Sequence, residues 1–192
     1  MAEYYKLRED LSIEVLGHKL FRIECIKKLK DIEVGDLGGY VEKESNLYGD
    51  AWVYGNAQVS GNAQVYGNAR VYGNAQVYGD AWVSGDAWVS GDARVSGNAQ
   101  VSGDAWVYGD AWVSGNAQVY GDKIKNISDV CNIANQQYNI TITTNHIKIG
   151  CQYHSKTAWF KFKDSEIEKM DGCRALAFWK KWKPILKAIC EK

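Results

Sequence analysis

The stretch VYGNAQVYGDAWVSGDAWVSG, residues 71–91, repeats one six-residue word almost without change. Each word reads valine, tyrosine or serine, glycine, asparagine or aspartate, alanine, and a variable sixth residue. Twelve complete words follow one another without insertion from Leu47 to Gln118. A strict short period of this kind is typical of a solenoid, in which short elements stack on one another.

The spacing within a word indicates which residues face the core. Alanine and valine stand two positions apart, as in Ala75 and Val77, so in a strand both point to the same face. We therefore expect them to point inward and the second and sixth residues of the word to point outward. Glycine followed by asparagine or aspartate predicts a corner, because these residues tolerate the backbone angles of a tight bend. Three sides per turn give an 18-residue coil, with strands about 4.8 Å apart along its axis.

The repeat predicts a mainly β protein built on a single-stranded, three-sided parallel β-helix of about four to five coils. The open ends of such a helix expose unpaired strand edges, which favours a cap at each end. We divide the chain into an N-terminal β cap (1–40), the repeat β-helix (41–124) and a C-terminal α/β cap (125–192).

The two flanks contain the patterns expected of such caps. Residues 12–26 alternate around Gly17 and predict a β-hairpin, and residues 140–150 predict a second hairpin. After residue 165 the apolar residues recur every three to four positions and predict helices. We expect a short helix from Ser165 to Met170, closed by Asp171 and Gly172, and a following helix that is kinked or divided at Pro184.

The word Val-[Tyr/Ser]-Gly-[Asn/Asp]-Ala-x resembles the hexapeptide repeat of left-handed parallel β-helix proteins over about 41–124. This resemblance implies that the helix is left-handed. More narrowly, GDLGGYVEKESNLYGDAWVYGNAQV (35–59) is similar to bacterial and phage proteins that often carry an acetyltransferase label. HIKIGCQYH (146–154) resembles C-terminal segments of phage-encoded hexapeptide proteins. Since one β-helix serves unrelated functions, the resemblance is specific for fold and weak for activity.

Charge and cysteine usage limit the partners and the compartment. Residues 47–122 carry 2 basic and 7 acidic side chains, and residues 123–192 carry 13 and 6. An acidic solenoid argues against nucleic acid, whereas the asymmetry can orient a protein partner or a second copy. The five scattered cysteines favour reduced thiols. The charged opening MAEYYKLRED lacks the apolar run of a signal peptide, and no apolar stretch is long enough to span a membrane, so we expect a cytoplasmic protein.

A catalytic function has little support in the repeats. The resemblance to hexapeptide acyltransferases implies a histidine base in a cleft between coils of neighbouring subunits, beside a projecting loop. His18, His146 and His154 all lie outside the repeats, and no loop interrupts them. We therefore predict no catalytic residue and no cofactor. The alternative is an acetyl-coenzyme A-dependent acyltransferase whose base, His146 or His154, comes from a cap.

Cys151 and His154 are weak candidates for a metal site. A structural zinc site needs four converging ligands, and the further candidates are Cys131, His146 and Cys173. In a regular strand, however, Cys151 shares its face with Ile149, whereas His146 points the opposite way. A core cysteine beside a surface histidine is the favoured interpretation.

The variable positions provide the functional hypothesis. In an 18-residue coil, one side carries six aromatic or basic residues, which we predict to be an interaction face: Trp52, Arg70, Trp88, Trp106, Tyr48 and Tyr66. We expect Arg70 between two indoles, where cation–π contact is possible. Aromatic residues and arginine are enriched at interface hot spots, although aromatic residues also stabilise strands. The face therefore suits a protein partner or self-association, such as a homotrimer.

One corner of the prism should stack Asp86, Asp104 and Asp122, either solvated or bridged by a cation such as calcium. The sides lack the threonine-rich surface that ice binding needs. The leading hypothesis is a non-catalytic interaction or scaffold protein. The phage resemblance implies an accessory protein of phage or prophage origin that binds host or defence machinery.

Overall fold

A computed structural model describes residues 3–134 and 136–191 of the chain. It confirms a mainly β protein built on a three-sided parallel β-solenoid of about five turns. Within these residues, an antiparallel hairpin precedes the solenoid, and four further strands and two α-helices follow it. The left-handed sense of the coil, which the resemblance implies, stays a prediction.

The N-terminal hairpin consists of β1 (Tyr5–Val15) and β2 (His18–Cys25). Leu16 and Gly17 connect the two strands, both with positive φ, as a tight hairpin turn requires. β2 then pairs with β3 (Leu37–Val41), which runs parallel to a solenoid strand. The predicted hairpin is thus confirmed, and it continues one of the solenoid sheets.

A 3-10 helix (Glu44–Asn46) leads into the solenoid, and a second one (Ile127–Asp129) follows its last strand. The solenoid strands β4–β16 are, in order, Trp52–Val53, Gln58–Val59, Gln64–Val65, Arg70–Val71, Gln76–Val77, Trp82–Val83, Trp88–Val89, Arg94–Val95, Gln100–Ser102, Trp106–Val107, Trp112–Val113, Gln118–Tyr120 and Lys123–Ile124. Trp88 pairs in parallel register with Arg70 and with Trp106, 18 residues away in each direction. This register confirms the predicted 18-residue coil.

The three sides of the solenoid are three parallel sheets. We call the sheet of β4, β7, β10, β13 and β16 the aromatic side. The second side contains β5, β8, β11 and β14, and it is the sheet that β1–β3 extend. The third side contains β6, β9, β12 and β15.

Fixed residues of the word build the interior and the corners. The alanines and valines of the repeat are buried along the whole solenoid. At the corner of Gly85, φ is +68°, and an added Cβ would lie 3.0 Å from the carbonyl oxygen of Gly103 in the next coil. Glycine is therefore required there for two reasons, the positive φ and the close approach of the neighbouring corner.

The C-terminal region contains an antiparallel sheet and two helices. The sheet has the order β17 (Cys131–Ile133), β18 (Ile140–Ile142), β19 (His146–Ile149) and β20 (Gln152–Ser155). The helices α1 (Lys156–Lys161) and α2 (Asp164–Cys190) pack on it around Trp159 and Trp179. The predicted hairpin of β18 and β19 is confirmed, whereas β17, β20 and α1 were not predicted.

Helix α2 departs from helical backbone angles at Asp171 and Gly172, as predicted. Pro184, by contrast, lies inside α2 and does not divide it. The carbonyl of Lys180 loses a backbone donor because proline has no N–H. Both residues are exposed, so water can satisfy that carbonyl. Among the described residues, no helix is both long and apolar enough to cross a membrane.

Candidate functional site

The aromatic side presents two stacked tryptophans to solvent. The rings of Trp88 and Trp106 lie 5.2 Å apart between centroids, with 8° between their planes, and the residues are 41% and 40% exposed. Tyr72 packs against Trp88, and the Lys123 ammonium lies 4.9 Å from the centre of the Trp106 ring. Because neighbours cover the ring faces, solvent reaches mainly the indole edges. We define the aromatic trough as the open surface lined by Tyr72, Trp88, Ser90, Trp106, Tyr108 and Lys123.

Two residues predicted to belong to this interaction face are buried instead. Trp52 is only 1% exposed, because the ring of Tyr5 from β1 packs edge-on against it. Arg70 is 6% exposed, and its guanidinium donates a hydrogen bond to the carbonyl of Asp50. Among the described residues Arg70 makes no cation–π contact. The N-terminal cap therefore covers Trp52, the tryptophan of the first coil on the aromatic side.

Tyr48 and Tyr66 lie on a different side from the one predicted. Leu47 forms a β-bridge with Val65, which places both tyrosines on the third side, where Tyr66 packs against Trp82. The prediction grouped the second and sixth residues of one word. A strand instead contains the sixth residue of one word and the first of the next, and the second residue of that next word directly follows on the same side. On the aromatic side the second-position residues are accordingly Tyr54, Tyr72, Ser90 and Tyr108.

The solenoid aspartates concentrate at the two corners that border the aromatic side. One corner stacks Asp50, Asn68, Asp86, Asp104 and Asp122, and the other stacks Asn56, Asn74, Asp92 and Asp110. These corners hold six of the seven solenoid aspartates, and the third corner holds only Asp80. We define the acidic rims as the exposed pairs Asp86/Asp104 and Asp92/Asp110. Their four carboxylates outnumber the one ammonium that lines the trough, that of Lys123, so the surface around the trough is net negative.

Asp122 departs from the predicted row of solvated or cation-bridged carboxylates. It is only 2% exposed, because residues of the C-terminal sheet cover it. Its carboxylate accepts hydrogen bonds from the Thr143 hydroxyl and the Tyr153 hydroxyl and contacts Nδ1 of His146 at 3.0 Å. We call these four residues the Asp122 cluster. It joins the last coil to the cap, and the sequence analysis missed it.

The Asp122 cluster holds one histidine in a defined orientation. The His146 ring stacks on Tyr153, with 4.7 Å between centroids, and its side chain is about one third exposed. Its Nδ1 faces the buried carboxylate, and a proton on Nδ1 leaves Nε2 as the acceptor. Burial, followed by the charge of Asp122, raises the pKa of Tyr153 above its ordinary value.

Four tyrosines are expected to ionise late in an alkaline titration, three because of burial and Tyr138 because of its hydrogen bond with Asp171. Burial raises the pKa of Tyr54 to about 12 and also raises the pKa values of Tyr5 and Tyr153. The folded state therefore holds these protons more tightly. The stability they contribute is complete below the ordinary tyrosine pKa of about 10 and is lost as the pH rises above it.

Ultraviolet absorbance measures this titration directly. We expect part of the phenolate signal of the twelve tyrosines to appear only at higher pH, together with unfolding. The Tyr54→Phe, Tyr5→Phe and Tyr153→Phe variants should each reduce that late fraction. Ionisation of all twelve in a single step in the folded protein would contradict the prediction.

The other candidate residues lie apart. His18 contacts Glu42 at 3.0 Å in the N-terminal region, and His154 packs edge-on against Trp159 and Phe162. Cys151 is exposed rather than in the core, because β19 ends at Ile149 and the chain turns at Gly150, where φ is positive. Within residues 3–134 and 136–191, no three His, Cys, Asp or Glu side chains converge as metal ligands.

The repeats are similar to a known β-solenoid. A family model described as the YdcK beta solenoid repeat matches five overlapping stretches, 57–72, 63–77, 75–91, 87–103 and 99–115. These stretches cover the solenoid from β5 to β14 and include Trp88 and Trp106. No curated protein matches the chain. The similarity concerns the repeat architecture, so the function is argued from the site itself.

Proposed function

We propose that the protein is a non-catalytic interaction or scaffold protein that binds another protein through the aromatic trough and the C-terminal cap. The observation that supports this most is the pair of stacked, exposed indoles on a rigid sheet. Tryptophan and tyrosine dominate interface hot spots, and exposed aromatic patches mark interaction sites. Little conformational entropy is lost on binding when rings are already held by their neighbours.

The charges around the trough narrow the class of partner. The acidic rims would repel a phosphate backbone, since nucleic-acid binding relies on clustered lysine and arginine. A protein surface that carries cationic groups around an apolar centre complements the trough in both respects. On the resemblance to phage-encoded proteins, we extend the proposal to a phage or prophage accessory protein whose partner belongs to host or defence machinery.

Replacing Trp88 and Trp106 together with serine is expected to weaken partner binding at least tenfold, because hot-spot residues each contribute 2 kcal/mol or more. The matched control is W82S/W112S. Trp82 and Trp112 are 45% and 41% exposed, but they lie on the other two sides. Affinity capture from the expression host, quantified by mass spectrometry, compares the variants. A protein retained equally by wild type and W88S/W106S would contradict the role of the trough.

A second candidate function is acyl transfer with His146 as general base. The observation in its favour is the contact of His146 Nδ1 with the buried carboxylate of Asp122, which orients the imidazole. Calorimetric titration with acetyl-coenzyme A tests this candidate. The absence of binding would remove it.

A further inference from the structure

The exposed face of helix α2 has basic residues on both sides of an apolar centre, whereas the aromatic trough has acidic residues there. At 3.6 residues per turn, a stripe of small apolar residues runs along the middle of this face. One basic row borders the stripe on each side. The stripe contains Ala177, Pro184 and Ala188, one row contains Lys180 and Lys187, and the other contains Arg174 and Lys181. All seven residues are exposed, and we call them the basic face of α2.

The two surfaces match in charge and in size. The trough has an aromatic centre between two acidic rims, with Lys123 at the end next to the C-terminal region. The basic face has an apolar centre between two basic rows. One side of the prism, six residues from corner to corner, measures at most about 20 Å at about 3.3 Å per strand residue. A helix with its side chains is about 10–12 Å in diameter. One helix therefore fits between the rims, with a basic row facing each of them.

Within one copy, among the described residues, these surfaces do not pair with each other. The ion pairs of the basic face are local to α2: Lys180 with Asp164, Lys187 with Glu191, and Arg174 with Asp171. All of these side chains are largely exposed, and exposed pairs contribute little stability. Breaking these ion pairs would lose little stability, so both surfaces are available to a second molecule.

We infer that the aromatic trough of one copy binds the basic face of α2 in a second copy. The inference rests on the proposed function, in which the trough is a protein-binding surface, and adds a second copy of the chain as an occupant of that surface. The contact joins two different surfaces, so it is heterologous. It generates a ring if the rotation closes and a growing chain of copies if it does not.

Analytical ultracentrifugation of the full chain tests this assembly. The mean mass of the wild type should rise with protein concentration and fall at high salt, because salt screens the contact between rims and basic rows. Two variants each remove one surface: W88S/W106S alters the trough, and K180E/K187E alters the basic face. Each variant alone should be monomeric, with association weakened at least tenfold. The control W82S/W112S should associate as the wild type does.

The decisive sample is an equimolar mixture of the two variants. Each retains one intact surface, so the mixture should form one-to-one dimers that do not grow further. Thermal unfolding of both variants close to that of the wild type would show that they remain folded.

Three outcomes would overturn the inference: a monomeric wild type, a mixture that stays monomeric, or a complex of fixed mass that K180E/K187E does not change. None of these affects the proposed function if W88S/W106S still loses a captured partner. Capture that survives W88S/W106S would overturn the proposed function instead.

Discussion

Replacing Trp52 with alanine is expected to lower the free energy of unfolding by about 3–5 kcal/mol, the usual cost of deleting a buried tryptophan. Replacing Trp106 with alanine is expected to lower it by only about 1 kcal/mol, the contribution of one aromatic pair. Both residues occupy the sixth position of the word and lie on the aromatic side. Chemical denaturation followed by circular dichroism measures the two differences.

The physical reason for this contrast is the N-terminal cap. The ring of Trp52 is enclosed by Tyr5 and Tyr54, both in edge-to-face contact with centroids 6.5 Å apart, so its removal leaves a cavity. The alanine at position 106 would leave a shallow depression that water fills. A Trp52→Ala variant that lost no more stability than Trp106→Ala would show that β1 does not seal the first coil. Phenylalanine at position 52 should recover much of the loss.

The solenoid could be predicted from the sequence because its determinants are local. Alanine and valine two positions apart define the inward face, and glycine marks each corner. The six-residue period then places Trp88 opposite Arg70 and Trp106. Each of these inferences needs only neighbouring residues and a uniform count.

The exposure of individual side chains could not be predicted in the same way. The repeat is the same in every coil, whereas the caps cover some coils and not others. Trp52 is buried by Tyr5, which lies in a separate segment without any repeat signal. The Asp122 cluster likewise depends on His146 and Tyr153, which reach the last coil only after the C-terminal sheet has formed.

Two incorrect predictions, on the tyrosines of the aromatic side and on the burial of Cys151, could have been avoided from the sequence. Each strand consists of a valine and the residue before it, and the residue after the valine continues along the same side. Tyr54 and Tyr72, rather than Tyr48 and Tyr66, therefore accompany the aromatic side. Gly150, directly before Cys151, indicated a turn that interrupts the strand and exposes the thiol. In both cases the position within an element, and not the residue type, determined the environment of the side chain.

Replacing Asp122 with alanine is expected to lower the free energy of unfolding by about 3 kcal/mol, whereas Asp104→Ala is expected to lower it by less than about 0.5 kcal/mol. The two aspartates occupy the same position of the repeat in successive coils. Asp104 is exposed, so its loss affects only a solvated side chain. Without Asp122, the hydroxyls of Thr143 and Tyr153 and Nδ1 of His146 lose their common acceptor.

The Asp122→Asn variant separates hydrogen bonding from charge. An amide oxygen still accepts from the hydroxyls, but it provides no negative charge for His146, so we expect an intermediate loss of stability. Native-state hydrogen exchange should show where the loss occurs: protection should fall in β18, β19 and β16 and persist in β5–β10. Equal losses for Asp122→Ala and Asp104→Ala would mean that other contacts of the C-terminal sheet, such as the hydrogen bond from the Gln118 N–H to the Thr141 hydroxyl, and not this carboxylate, attach the cap to the solenoid.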